Sequence, residues 1–232
     1  ELTWLNSDHY EKFPESISEL KNYDGVVVPG GFGARGVEGK ILAAKFCREN
    51  NIPYLGLCYG MQIATIEFAR NVCGIQDAHS TEVNQKAPHP VIDILPEQKV
   101  NIQKKNFGAT MRLGTYPCQL KKGTIAYKAY KNSDFVVEES SYGGSPAGRQ
   151  KNDDIVVSER HRHRYELNND YRGTLEEKGL VMSGINPERN LVEIIEFPKN
   201  KFYLGTQFHP EFKSRPLHPH PLFSAFVKAA IS

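Results

Sequence analysis

The fold of this 232-residue chain is decided by the stretch Ile52-Pro53-Tyr54-Leu55-Gly56-Leu57-Cys58-Tyr59-Gly60-Met61. Its apolar first half predicts a short buried strand over 53–57. Apolar residues then recur at helical spacing from Met61 to Val72, which predicts a helix directly after the strand. The sequence therefore predicts a sharp strand-to-helix turn with Cys58 at its centre.

A nucleophile in such a turn needs small residues two positions before and after it, and Cys58 has Gly56 and Gly60 there. Hydrolases with the Gly-x-Ser-x-Gly elbow follow the same rule with an oxygen nucleophile. The turn leaves Cys58 at a helix N-terminus, where the helix dipole favours the thiolate over the thiol. It also directs the backbone N–H of Tyr59 toward the place of an oxyanion. The alternative is a structural cysteine buried in a βα unit.

The composition is that of a globular protein, with 39% hydrophobic residues, 24% charged residues and a formal net charge of +2. The length predicts one large or two small domains with a sizeable core. The small net charge gives no indication of a nucleic-acid or membrane surface. No stretch approaches 18 uninterrupted apolar residues, so we expect no membrane span.

The four cysteines show neither metal-ligand spacing nor a dense disulfide pattern; they are Cys47, Cys58, Cys73 and Cys118. We therefore expect reduced thiols in a cytoplasmic protein, and no metal site. Residue 1 is Glu rather than Met, so the chain is expected to be a piece or a processed form of a longer protein.

A second glycine-rich turn follows a β-branched run at 24–28, which predicts a strand covered on both faces. The turn, Pro29-Gly30-Gly31-Phe32-Gly33, lets the backbone approach a ligand closely and would supply a second N–H to an oxyanion hole. An ordinary tight turn is the alternative. Glycines continue to Lys40, which indicates a mobile lid or a plain connector. The Gly-Lys-Ser/Thr ending of a phosphate-binding loop is absent.

Residues 1–72 are predicted to alternate strand and helix three times. We expect strands at 2–5, 24–28 and 53–57, and helices at 14–20, from 37 or 40 to 48, and at 61–72. This order implies a parallel sheet. The predicted fold class is α/β, with an open, mostly parallel central sheet, helices on both faces and a smaller antiparallel part.

The remainder of the chain predicts shorter elements. We expect a polar loop at 77–82, a proline-bounded segment at 88–96, strands at 111–114, 117–120 and 180–182, a hairpin over 190–197 and 202–208, and a closing amphipathic helix from Leu222 to Ala230. Residues 132–154 are rich in Ser, Gly, Asp and Asn and predict a flexible surface insertion. The whole chain, 1–232, is predicted to be one domain.

The run Glu159-Arg160-His161-Arg162-His163-Arg164-Tyr165 alternates basic and imidazole side chains. In a strand, the three arginines would share one face and the two histidines the other. Three cationic side chains on one face could hold a carboxylate. A solvated edge strand is the alternative.

The second arm of the predicted hairpin leads into Gln207-Phe208-His209-Pro210-Glu211. An imidazole in catalysis needs a partner on its second nitrogen to determine its tautomer and orientation, and Glu211 lies two residues after His209. The alternative is a structural histidine. His218-Pro219-His220-Pro221 has a metal-like composition and is interpreted as a turn.

Three separate pieces, Pro-Gly-Gly after a strand, Gly-x-Cys-x-Gly before a helix and Phe-His-Pro-Glu near the C-terminus, together resemble class I (triad-type) glutamine amidotransferases. A finer match, over nearly the whole chain, is to the glutaminase domains of the CTP synthase family. It is carried by residues 29–40, 60–62, 80–82, 110–114 and 159–165.

The resemblance implies that Cys58 is the nucleophile and that His209 and Glu211 complete a triad. The backbone N–H groups of Tyr59 and of the Gly30-Gly31 turn would form the oxyanion hole. Further implied substrate-binding residues are Phe32, Gly60, Met61, Gln62, Glu82, for the α-ammonium group, and Arg164, for the α-carboxylate. Tyr59 departs from the family, which usually has Leu after the nucleophile, so the packing beside the glutamine pocket differs.

The resemblance also implies L-glutamine as the substrate, no cofactor in this domain, and a separate N-terminal synthetase domain that aminates UTP with ATP and Mg²⁺. GTP would activate the glutaminase through the lid at 32–40, and the full-length protein would be a homo-oligomer, a tetramer. Two alternatives remain at this point. One is the glutaminase subunit of GMP or carbamoyl phosphate synthesis, and the other is a catalytically silent regulatory or assembly domain.

Overall fold

The structure, a computed structural model, describes residues 1–94, 111–131, 133–136 and 155–232. The α-helices in these ranges are α1 (Ser7–Lys12), α2 (Val37–Asn50), α3 (Tyr59–Asn71), α4 (Ile125–Tyr130), α5 (Arg172–Glu177) and α6 (Pro221–Ile231). The strands are β1 (Val26–Val28), β2 (Tyr54–Leu57), β3 (Ala78–Ser80), β4 (His89–Ile94), β5 (Arg112–Leu120), β6 (Ile155–His163), β7 (Tyr165–Leu167), β8 (Val181–Ile185), β9 (Val192–Glu196) and β10 (Tyr203–Thr206).

The main sheet of the described residues has seven strands in the order β1-β2-β10-β9-β8-β5-β6, and β3, β4 and β7 form a second sheet. In the main sheet β2 lies parallel to β1 and to β10, and the other described neighbours are antiparallel. The α/β class with an open central sheet and a smaller second sheet is confirmed. The parallel part is limited to three strands, because the later strands pair as antiparallel neighbours.

Helices cover both faces of the main sheet. Side chains from α1, α2 and α3 form one core cluster with Tyr54 of β2 and Tyr203 of β10. Side chains from α4 and α6 form the other cluster with the next residues along the same strands, Leu55 and Leu204. The alternation follows from the period of two in a strand, and it explains why both strands are apolar throughout.

Helix α3 is the central element of the first cluster. All of its residues from Tyr59 to Ala69 are buried, because it contacts β2 and β10 on one side and β3 and β4 on the other. The predicted helix at 61–72 is confirmed, and it begins at the first residue after Cys58.

Two predictions about the first 94 residues are wrong. The predicted strand at 2–5 has no regular structure, and Leu2 and Trp4 are 76% and 83% exposed. In the part of the chain that the structure describes, no strand pairs with this apolar run. The predicted loop at 77–82 contains β3, which pairs in parallel with β4. The helix predicted at 14–20 is confirmed as a 3-10 helix, Pro14–Asn22.

The strand at 24–28 is confirmed in a shorter form, Val26–Val28, but it is not covered on both faces. Among the described strands β1 is the last on one side of the sheet, and Val27 is 40% exposed. On the other side β6 is the last described strand, and Val136 makes an isolated bridge to it at Val157. The predicted alternation holds from 159 to 163, with His161 and His163 buried and Arg160 and Arg162 exposed. Arg164 lies after the end of β6, so it does not continue the face of the other two arginines.

The two short strands predicted at 111–114 and 117–120 are one continuous strand, β5, paired with β6 along its whole length. Pro117 lies inside it. A proline is tolerated there because β8 reaches only Gln119 and Leu120, so among the described strands the middle of β5 pairs only with β6.

The hairpin and the closing helix are confirmed as β9, β10 and α6, and the predicted strand at 180–182 as β8. Most of the predicted insertion at 132–154 lies outside the described residues. Within it, residues 133–136 are described and Phe135 is buried. No helix in the described ranges is long and apolar enough to cross a membrane.

Candidate active site

The carboxyl ends of β1, β2 and β10 meet at one edge of the main sheet, because the three strands are adjacent and parallel. The turn with Gly30 and Gly31 follows β1, Cys58 follows β2, and His209 lies three residues after β10. The parallel part of the sheet thus brings together three segments that are distant in sequence. Crevices at this edge are the usual ligand sites of open α/β sheets.

Cys58 has a backbone conformation that L residues rarely adopt, with φ of 49° and ψ of −96°. Its N–H donates to the carbonyl of Thr206 at 2.6 Å, and its own carbonyl accepts from the N–H groups of Met61 and Gln62 at 3.1 and 3.2 Å. These three bonds hold the strained turn and place the sulfur above the first turn of α3.

The flanking glycines are required by close backbone approach. A Cβ atom on Gly60 would collide with the carbonyl oxygen of Val28 in β1, and one on Gly56 would lie 2.6 Å from the backbone of Gly60. The sequence prediction of a sharp elbow that tolerates only small residues at these positions is confirmed.

His209 and Glu211 form a short pair, with Nδ1 of His209 2.6 Å from Oε1 of Glu211. A carboxylate accepts, so Nδ1 carries the proton and the lone pair of neutral His209 is on Nε2. The ring stacks on Phe212 at a centroid distance of 4.6 Å. Nε2 is buried and has no hydrogen-bond partner among the described residues.

Gly30 brings the turn after β1 against both reactive side chains. A Cβ atom on Gly30 would lie 2.8 Å from Cε1 of His209 and 3.9 Å from Cβ of Cys58. Gly31 stands beside Tyr59, where a Cβ atom would lie 3.6 Å from the Tyr59 ring. The predicted turn, nucleophile and imidazole are therefore in one cluster.

Burial raises the pKa of the Cys58 thiol to about 12, and the negative charges of Glu166 and Glu211 add to that rise. Hydrogen bonds from the backbone N–H of Tyr59 and the side chain of Gln207 act in the opposite direction and do not outweigh it. In the free protein Cys58 is therefore a thiol, and the expectation of a thiolate favoured by the helix dipole does not hold. Ionisation needs a base, and His209 lies in the same cluster.

The predicted glutamine-pocket residues lie around α3. Gln62 is buried, donates from Nε2 to the carbonyl of Tyr165 at 2.9 Å, and keeps a buried Oε1 without a partner among the described residues. Burial raises the pKa of Glu82, while the N–H of Gly33 and the charge of Arg164 lower it. The opposite charges of Glu82 and Arg164 therefore interact. Their predicted contacts with the two charged groups of a substrate stay a prediction.

The glycine-rich loop is held at Gly33. Its N–H donates to Oε1 of Glu82 at 3.0 Å, and its carbonyl accepts from the hydroxyl of Tyr59. The side chain of Phe32 is 86% exposed to solvent, and its contact with the substrate stays a prediction. Lys40 closes the loop by donating to the carbonyl of Arg35 at 2.9 Å.

A buried charged cluster lies behind the site. Arg112 is 2% exposed and donates to Glu193 at 2.6 Å, with Glu166 at 3.5 Å. Burial raises the pKa of both carboxyl groups, to about 8 for Glu166 and about 7 for Glu193, although Arg112 opposes the rise. Burial and then the charge of Arg112 lower the pKa values of His161 and His163, so both imidazoles are neutral.

The sequence profile of the family described as "Glutamine amidotransferase class-I" matches residues 3–229. The chain belongs to the class-I glutamine amidotransferase family. Among the curated relatives of this amidotransferase chain are the CTP synthases of Caldanaerobacter subterraneus subsp. tengcongensis, 53% identical over 232 residues, and of Rubrobacter xylanophilus, 52% identical over 232 residues. Each alignment covers 100% of the chain but only 38% and 37% of the relative.

A solved structure similar to this amidotransferase is the Trypanosoma brucei CTPS glutaminase domain with bound acivicin. It shares 37% sequence identity with a TM-score of 0.84, and the match covers 100% of this chain and 80% of that chain. The chain thus has the amidotransferase fold and groups with the glutaminase domains of CTP synthases. It spans about two fifths of the length of the curated relatives.

The sequence patterns did not indicate a role for three residues near the nucleophile. These are Gln207 and Glu166, which act on the pKa of Cys58, and the buried Arg112. Gln207 could have been found, since it lies two positions before His209 on an extended segment and so faces the same side. Glu166 and Arg112 carry no such signal, because their partners come from other strands. Among the described residues, no group of three His, Cys, Asp or Glu side chains is arranged to hold a metal ion.

Proposed function

We propose that this chain hydrolyses L-glutamine to glutamate and ammonia, with Cys58 as the nucleophile, His209 as the general base and acid, and Glu211 as its orienting partner. The observation that carries the proposal is the meeting of Cys58, His209 and the Gly30 turn at one sheet edge. Membership of the glutamine amidotransferase family supports the substrate. The half-buried opposite charges of Glu82 and Arg164 suit the α-ammonium and α-carboxylate groups of a free amino acid.

In the first half of the reaction, the Cys58 thiol gives its proton to Nε2 of His209 and the sulfur attacks the side-chain amide carbon of glutamine. The resulting oxyanion accepts hydrogen bonds from the backbone N–H groups of Tyr59 and the Gly30-Gly31 turn. His209 then returns the proton to the departing nitrogen, so the C–N bond breaks and ammonia leaves. A γ-glutamyl thioester on Cys58 remains.

In the second half, His209 accepts a proton from a water molecule, which attacks the thioester carbon. The C–S bond breaks, glutamate forms and the sulfur regains its proton. Glu211 stabilises the imidazolium in both halves through the 2.6 Å contact to Nδ1. A thiol with a pKa raised to about 12 is compatible with this sequence, because proton transfer to His209 accompanies the attack rather than preceding it.

The test is mass spectrometry of the chain after incubation with a glutamine analogue that carries an electrophilic carbon in place of the side-chain carbonyl. We expect one adduct on Cys58, abolished in Cys58→Ala and suppressed by excess glutamine. Cys73→Ala is the matched control, since Cys73 is the most exposed of the four free thiols and should leave the labelling unchanged. An adduct on another cysteine, or none in a folded chain, would contradict the proposal and favour a silent assembly domain.

For the full-length protein we propose the CTP synthase reaction, in which the ammonia passes to an N-terminal synthetase domain that aminates UTP with ATP and Mg²⁺, with GTP as activator. The support is the identity to CTP synthases over only about two fifths of their length. Leu2, Trp4 and Phe32 are each more than three quarters exposed, and exposed apolar side chains suit a surface that another domain covers.

The corresponding test compares glutamine turnover of this chain alone and within the full-length protein with GTP. We expect slow hydrolysis by the isolated chain, because its lid at 32–40 would lack its partner surface. Equal rates would contradict that coupling. The similarity to CTP synthases also leads us to propose that the full-length protein is a cytoplasmic homotetramer. Light scattering after size-exclusion chromatography would test the oligomeric state.

A further inference from the structure

Gln207 lies beside the sulfur of Cys58. Its Nε2 is 3.6 Å from Sγ, within hydrogen-bonding distance for sulfur, and the side chain is fully buried. Its backbone N–H donates to the carbonyl of Glu193 at 2.8 Å, which holds the residue against β9. A side-chain amide can present either its oxygen or its nitrogen to the sulfur, and only the nitrogen can donate. The orientation of this amide therefore decides what Gln207 does.

The neighbouring glutamine determines that orientation. Nε2 of Gln62 lies 2.9 Å from the carbonyl oxygen of Tyr165 and 3.4 Å from Oε1 of Gln207. A backbone carbonyl only accepts, so Gln62 must turn its NH₂ group toward Tyr165. The second N–H of that group then points at Gln207, which must present its oxygen there. The NH₂ group of Gln207 consequently faces the sulfur of Cys58.

The Tyr165 carbonyl is itself held by a buried chain of hydrogen bonds. Nδ1 of His163 lies 3.2 Å from this oxygen and must donate to it. Since His163 is neutral, its Nε2 accepts, and the donor is Nδ1 of His161 at 2.9 Å. His161 is neutral as well, so its Nε2 carries no proton. This nitrogen lies 3.5 Å from Oε2 of Glu193, and neither atom has a hydrogen-bond partner among the described residues.

Glu193 makes its hydrogen bond elsewhere, since its Oε1 accepts from Arg112 at 2.6 Å. One backbone carbonyl thus determines the tautomers of two histidines and the orientation of two glutamines.

We propose that Gln207 is a further catalytic residue, whose side-chain N–H stabilises the Cys58 sulfur when it becomes a thiolate. The proposal rests on the proposed function, in which Cys58 is the nucleophile. A hydrogen bond to an anion is stronger than one to a neutral group, so this donor acts on the ionised sulfur more than on the thiol. Gln62, His163 and His161 are positioning residues that keep the donor turned toward the sulfur.

The donor matters because the other nearby groups oppose ionisation. Burial and the charges of Glu166, from β7, and Glu211, from the segment after β10, raise the pKa of Cys58, whereas the Tyr59 N–H and the Gln207 side chain lower it. His209 is the base on the same side. Without the Gln207 donor, the Tyr59 N–H alone of these two hydrogen bonds would oppose the effects of burial and of two carboxylates.

The test measures the rate at which iodoacetamide alkylates Cys58 in the folded chain between pH 7 and pH 10, read by mass spectrometry of the Cys58 peptide. The variant Gln207→Met has a side chain of similar size that lacks a hydrogen-bond donor. We expect its plot of alkylation rate against pH to move to higher pH by about one unit, so that the rate at a given pH is about tenfold lower. Cys73 is the internal control, and its line should not move. Gln76→Met, at an exposed position, is the matched variant.

Two further variants test the positioning chain. His163→Asn keeps an amide N–H near the place of Nδ1, so the alkylation rate of Cys58 at a given pH should stay within about twofold of that of the parent. His163→Leu has no such donor and should lower that rate by about threefold or more. An unchanged line in Gln207→Met would overturn the proposal even if Cys58 is the nucleophile. Full glutaminase activity in Cys58→Ala would instead overturn the proposed function, so the two failures are distinguishable.

Discussion

The hydroxyl of Tyr59 donates a hydrogen bond to the backbone carbonyl of Gly33, which ties the first turn of α3 to the glycine-rich loop after β1. The same glycine donates its N–H to Glu82 at 3.0 Å, so both of its backbone polar groups are occupied. The glutaminase domains that the sequence resembles usually have Leu at position 59, and Leu has no hydroxyl. The residue after the candidate nucleophile therefore also holds the candidate lid.

Tyr59→Phe removes this hydroxyl and leaves the ring. We expect the backbone amides of residues 33–37 to exchange with deuterium about fivefold faster, because a lost hydrogen bond of about 1 kcal/mol makes local opening easier. Hydrogen–deuterium exchange with mass spectrometry measures this. Tyr23→Phe, at a half-buried tyrosine outside the loop, is the control. Equal exchange at 33–37 in both variants would show that the bond does not hold the lid.

Gly30→Ala should displace His209 without unfolding the chain. The new methyl group would lie 2.8 Å from Cε1 of His209, closer than real Cβ contacts, and 3.9 Å from Cys58, an ordinary distance. We expect glutamine turnover to fall about tenfold or more, since small misplacements of reacting groups cost rate steeply, with the far-UV circular dichroism unchanged. Gly173→Ala, an exposed position in α5 with open space around it, should keep full turnover. A fully active Gly30→Ala would argue against a catalytic position for the ring.

Glu211→Gln tests the partner of His209. The amide can still accept a hydrogen bond from Nδ1, but it lacks the charge that stabilises an imidazolium at 2.6 Å. We expect kcat for glutamate release to fall about tenfold to a hundredfold with little change in KM. Glu188→Gln on an exposed turn is the matched control. A kcat within twofold of the parent would mean that Glu211 does not assist proton transfer.

The buried carboxyl groups predict a stability that falls as the pH rises. The folded-state pKa values of Glu166 and Glu193 are raised to about 8 and about 7, above the ordinary value of a glutamate. The folded protein therefore binds more protons than the unfolded chain above that ordinary value, and the stabilisation is lost as the pH rises through the raised values.

Between pH 6 and pH 9 we expect the free energy of unfolding to fall by about 4 kcal/mol, which corresponds to about 10 °C in Tm. Glu166→Gln, which keeps the shape without the titrating proton, should show a smaller fall over the same range. Thermal unfolding followed by circular dichroism measures both, with Glu188→Gln as the surface control. A Tm that rises from pH 6 to pH 9 in the parent would reverse the assigned direction.

The local geometry of the site could be predicted from short stretches of sequence. The elbow at Cys58 follows from two glycines and a switch from a strand pattern to a helix pattern, and a Cβ atom at Gly56 or Gly60 would collide with backbone. The pairing of His209 with Glu211 involves residues two positions apart. The alternation that buries His161 and exposes Arg162 is the period of two in a strand. Each of these patterns lies within a few residues of the sequence, although the backbone that a Cβ atom on Gly60 would meet is that of Val28 in β1.

Other features were decided by which segments become neighbours in space. The apolar run at 2–5 pairs with none of the strands that the structure describes, so it is not a strand. Strand β5 passes through Pro117 because β8 reaches only its end. The Cys58 thiol is protonated because burial among elements from the whole chain outweighs the helix N-terminus. The sequence by itself determined the elbow, the strand alternation and the family. Tertiary structure decided the charge state of the nucleophile and the donor that Gln207 presents to it, because desolvation and hydrogen-bond direction depend on groups up to about 150 residues apart.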